Sequence, residues 1–97
     1  MKGGMLAGGF KAPEAADADI QAVLDSVKAE VGRAIGKDLG DLKALTYKSQ
    51  VVAGTNYIIE AQIDNEAYHV TIFKPLPHTG AAPEFKSATG PHAQGSL

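Results

Sequence analysis

Apolar and polar positions alternate along this chain with two different periods, and the change of period divides it. From Asp17 onward Ile20, Val23, Leu24, Val27 and Val31 recur at the spacing of one stripe on an amphipathic helix. Gln21, Asp25, Lys28 and Arg33 occupy the opposite face. Asp17 is placed to cap the helix N-terminus and Asp19 to favour its dipole, whereas Gly32 and Gly36 predict fraying over residues 32–36. The stripe is read as core, because a single helix must cover whatever sheet follows.

Beyond the glycine-punctuated connection 36–40 the period falls to two. In 45–50, Leu45 and Tyr47 are assigned inward and Thr46, Lys48 and Gln50 outward. In 57–63 the inward set is Tyr57, Ile59, Ala61 and Ile63, and in 68–74 it is Tyr68, Val70 and Ile72. Tight reversals, with Asp64-Asn65-Glu66 as one turn, predict an antiparallel meander with one face open to solvent. Pro75 and Pro77 stop the third strand and bracket Leu76 at a loop tip. Glu84–Ala88 is a short edge-strand candidate, with the remainder frayed. Residues 1–13, rich in glycine around Met5, Leu6 and Phe10, read as a flexible arm.

The pattern breaks at Gln50-Val51-Val52-Ala53-Gly54, which is apolar, uncharged and set where the chain must turn. Fully burying a valine-sized side chain is worth about 1.5–3 kcal/mol, so valines exposed on a hairpin tip suggest a surface made to be covered.

Composition narrows the chemistry. The 97 residues suffice for one domain, and 44% hydrophobic content is ordinary for a globular chain. Nine basic against eleven acidic residues, scattered rather than clustered, argue against a nucleic-acid partner. The absence of cysteine removes disulfides, thiolate metal sites and cysteine nucleophiles, and fits a reducing compartment. Met5-Leu6-Ala7 is too short for a signal-peptide core and no apolar run approaches a membrane span, so no membrane partner and a cytoplasmic location are expected. His69, His78 and His92 lack ligand spacing and read as solvated surface residues, not metal ligands. Gly32 to Asp38 misses the phosphate-loop pattern by one residue and closes a helix instead of opening one. No serine sits in a nucleophile elbow, and no carboxylate pair is set up for acid–base work. Neither an enzyme nor a cofactor is expected.

Gln50-Val51-Val52-Ala53-Gly54 resembles the Q-V-V-A-G signature of the cystatin superfamily of cysteine-protease inhibitors, and Ser49–Tyr57 as a whole resembles the stefins, its single-domain, cysteine-free, unsecreted branch. Met5-Leu6-Ala7-Gly8-Gly9 is similar to the stefin amino-terminal arm. Ile20-Gln21 through Tyr47-Lys48 is similar to the family helix and second strand, and Leu76-Pro77-His78 to its second binding hairpin. The resemblance covers about residues 5–78 and departs from the pattern at the extension Met1–Gly4, at a shorter 64–66 turn, at Pro75 and throughout 79–97.

The resemblance implies an α+β, cystatin-like fold: one helix on a wrapped antiparallel sheet of four to five strands. It implies an inhibitor of papain-like proteases such as cathepsins, whose arm and two hairpins enter the cleft on both sides of the catalytic cysteine and offer it no scissile bond. Leu6, Ala7, Gly8 and Gly9, then Gln50 to Gly54, then Leu76, Pro77 and His78 become the candidate contact residues. A monomer able to open at Gln50–Gly54 into a domain-swapped dimer is expected. The alternative is a cystatin-fold interaction module without inhibitory activity, motivated by the weakly matched C-terminus.

Overall fold

A computed structural model describes residues 9–97; the arm residues Leu6, Ala7 and Gly8 lie outside them. Five strands form one sheet in chain order: β1 (Glu14–Ala15), β2 (Lys43–Val52), β3 (Gly54–Ile63), β4 (Glu66–Lys74) and β5 (Glu84–His92). All neighbours are antiparallel. Two helical segments, α1 (Ala18–Asp25) and α2 (Lys28–Ile35), lie between β1 and β2 and cover one face.

The helical stripe is core as its spacing predicts: Leu24, Val27 and Val31 are fully buried with Ile59, Ala61, Ile63, Val70 and Ile72 of the sheet. Asp17 caps α1, its Oδ1 accepting from the Ile20 amide at 3.0 Å. Gly36 ends α2 in the left-handed conformation and donates its amide to Gly32 O, so the helix holds to Ile35 where fraying from Gly32 is expected. The single helix expected from sequence is nevertheless two. At the junction the Ser26 hydroxyl donates to Val23 O at 2.6 Å, and the Val27 amide donates to Leu24 O, one residue short of the helical repeat. Serine competing for a backbone carbonyl tightens the turn there.

Three further departures come from partners distant in sequence. In β2, Ala44 pairs with Ala61 but Thr46 pairs with Glu60, so Leu45 is the extra residue of a β-bulge. The alternation shifts at that point: Ala44 is buried, Tyr47 packs on the core as expected, and Leu45 is only half-buried. The last strand runs on to His92 where a frayed end is expected, because β4 supplies pairing partners as far as Ala67–His92. Residues near the N-terminus are also engaged: β1 pairs with β2 and the Lys11 amide donates to Ser49 O at 2.9 Å.

The outer face of the sheet is not uniformly open to solvent. Glu60 points away from the helices yet is only 2% exposed. The chain's last residues fold back over it: the Gly95 amide donates to both carboxylate oxygens at 3.2 and 3.0 Å, and the Ser96 amide donates to Oε1 at 3.2 Å. His69, opposite Glu60 on β4, shares a 2.9 Å hydrogen bond with the Ser96 hydroxyl, and its ring stacks on His92 with centroids 4.0 Å apart. His69 is therefore not the solvated surface histidine its isolated position suggests.

Candidate functional site

Three segments meet at one end of the sheet. The β2–β3 hairpin closes with Val51 opposite Thr55 and Val52 opposite Gly54, leaving Ala53 alone at the turn. The hairpin holds both valines out: Val51 is 63% and Val52 45% exposed. Behind them, the Gln50 side-chain carbonyl accepts from Asn56 Nδ2 at 2.9 Å, bracing the two strands just before the tip.

Gly54 is needed for two reasons. Its φ is +121°, and a Cβ there would lie 2.7 Å from both the Phe73 ring and Lys74 O. Only glycine allows the tip to pack this closely against β4.

On the β4 side the chain leaves the sheet after Lys74 and forms a 3-10 turn at Pro77–Thr79. The Thr79 amide and hydroxyl both donate to Leu76 O, at 3.0 and 2.7 Å, and the Gly80 amide donates to Pro77 O at 3.2 Å. Leu76 is thereby held 38% exposed, with Pro77 and His78 exposed beside it. On the other side, the bond from Lys11 to Ser49 brings Gly9 and Phe10 alongside the end of β2, and Phe10 is 40% exposed.

Phe10, Val51, Val52 and Leu76 make up the large apolar side chains left exposed among the described residues. Strand order places them in a row, from the β1 side across the β2–β3 tip to the end of β4. At about 4.8 Å per strand spacing the row is roughly 14 Å across, a narrow edge instead of a broad patch. The tip 50–54 carries no ionisable side chain, so the edge can enter an apolar cleft without desolvating a charge. Among the described residues, no group of three or more His, Asp or Glu side chains could hold a metal ion.

The sequence-derived contact residues thus fall together where the structure describes them: Gly9, Gln50 to Gly54 and Leu76 to His78 share this end. Phe10 was absent from that set because it reads as one more apolar residue of a glycine-rich arm. The available signal was its position next to the double glycine.

The cystatin domain model matches residues 8–92, through the last strand. The chain belongs to the cystatin family. This cystatin is similar to bovine cystatin-B, 41% identical over 75 residues that make up 76% of each chain. It is similar to human cystatin-A, 40% identical over 75% of this chain and 76% of that one. It is also similar to pig leukocyte cysteine proteinase inhibitor 1, 40% identical over 76% and 73% of the two chains. Among solved structures, a secreted type 1 cystatin from Fasciola hepatica superposes with a TM-score of 0.68 at 24% identity, covering 84% of this chain and 94% of that one.

Proposed function

We propose that this cystatin is a reversible, competitive, tight-binding inhibitor of papain-like cysteine proteases, with cathepsin-type enzymes as its targets. The observation that carries the reading is the row of exposed apolar side chains centred on an uncharged, glycine-closed tip. The name of the pig relative, a cysteine proteinase inhibitor, supports it. The tip from Gln50 to Gly54 occupies the cleft over the catalytic cysteine, with Leu76, Pro77 and His78 on one side. On the other side Leu6 and Ala7 occupy non-primed subsites, and Gly8, ahead of Gly9, lets the arm bend into the cleft.

Access is blocked without cleavage because no peptide bond of the edge is offered along the cleft as a substrate would offer it. The two loops are already braced, by Gln50–Asn56 and by the bonds to Leu76 O, so little ordering entropy offsets the buried area. The protein acts in the cytoplasm as a monomer, and β2 and β3 can exchange between two copies by straightening at Ala53. Such a swapped dimer lacks the tip and is inactive.

Titrating active-site-counted papain with the purified protein tests the proposal. The expected result is stoichiometric loss of activity, overcome by excess substrate. Full papain activity at micromolar inhibitor rules it out. Size exclusion after mild heating, with each peak assayed, tests the dimer.

A further inference from the structure

Phe10 differs from every other aromatic residue of the chain. Tyr68 is buried, and Tyr47, Tyr57, Phe73 and Phe85 are half-buried, three of them packed on the core; Phe10 alone is exposed. It is also tethered. Glu14 pairs with Tyr47, and the Lys11 amide reaches Ser49 O, so the chain preceding β1 follows β2 outward toward Val51. Phe10 is one residue beyond the last of these bonds, at the end of the apolar row opposite Leu76.

Rigid aromatic side chains give large contact area for two torsions, and they are enriched among residues that dominate binding energy. An aromatic ring left in water on a backbone already fixed to the sheet has the properties of such an anchor. We infer that Phe10 is a further anchor residue of the inhibitory edge, packing on an apolar wall of the protease cleft on the arm's side. The inference rests on the inhibitor reading above, and it makes arm-side affinity depend on a residue held by the sheet.

The test uses the full chain as wild type, Phe10→Ala, Phe10→Leu and Val51→Asp, with association and dissociation rates measured against papain and melting followed in parallel. Phe10→Ala is expected to raise the inhibition constant by about 10- to 100-fold through faster dissociation, with an unchanged melting temperature. Phe10→Leu should recover most of the loss. If Phe10→Ala inhibits like wild type while Val51→Asp does not, the Phe10 assignment is overturned and the inhibitor reading stands. If Phe10→Ala melts early and loses affinity through association, the ring supports the fold instead, and the assignment is likewise overturned. If wild type itself does not inhibit, both fail.

Discussion

The tip of the β2–β3 hairpin and the middle of the sheet's outer face break the same rule in opposite directions. At the tip two valines stand in water. Only a few residues along β3, a carboxylate is shut away from water. Glu60 is tolerable because the chain itself supplies two backbone donors from residues 95 and 96. The valines have no such cover anywhere in the described chain. A violation balanced internally concerns the fold, and one left unbalanced points outside the molecule.

Val51→Asp should break this contrast most visibly. A charge on the tip is expected to raise the papain inhibition constant at least about 100-fold, or about 2.7 kcal/mol, with melting almost unchanged because the site is exposed. Early melting of that variant would make the tip a packing site and dissolve the contrast. Gly54→Ala sits where the two regions meet, since it serves the tip but packs against β4. With φ at +121° and contacts at 2.7 Å, it should cost about 2 kcal/mol of stability and also weaken inhibition. Denaturant unfolding combined with inhibition assays checks both effects.

Glu60→Gln should do the reverse of Val51→Asp. Replacing a charged acceptor of two amides is expected to cost about 1–2 kcal/mol in denaturant unfolding while leaving papain inhibition unchanged. Equal losses in affinity and stability would mean that the outer face and the edge are coupled.

The smallest expected effect is a pH dependence on the outer face. Burial holds the His69 imidazole below its ordinary pKa; the neighbouring His92 and Lys48 add to this, and Glu60 opposes it. A histidine whose pKa is lower when folded stabilises the protein in full above its ordinary value of about 6.5, and the contribution fades as pH falls through the folded value. Melting temperature should therefore decline on acidification through that window. The His69→Gln variant should show a shallower slope, and an unaltered slope would assign the pH dependence to other groups.

Much of this was legible in the sequence because it depends on near neighbours. The stripe from Ile20 to Val31, the Asp17 cap and the inward sets of β3 and β4 are all encoded within a few residues. So were the Gln50–Gly54 tip and the Pro-bracketed Leu76, where an apolar residue in a turn is visible without the fold. The bulge at Leu45 was not, because an extra residue exists only relative to the partner strand. Glu60 alternates as a solvent-facing residue should, and its burial depends on amides 35 residues further on. β5 was legible only in part, since Ser87, Thr89 and Gly90 carry little apolar alternation and rely on β4 for pairing.

At the opposite pole of β3, Asp64 and Asn65 make a two-residue turn with φ of 51° and 65°, and Asp64 is 3.6 Å from Lys37 in an exposed ion pair. β3 spans ten residues, so this turn is about 30 Å from the tip. That separation makes it a handle. A fluorophore, a surface attachment or a tether to a second copy placed there would leave the edge unobstructed, and two linked copies could engage two proteases at once.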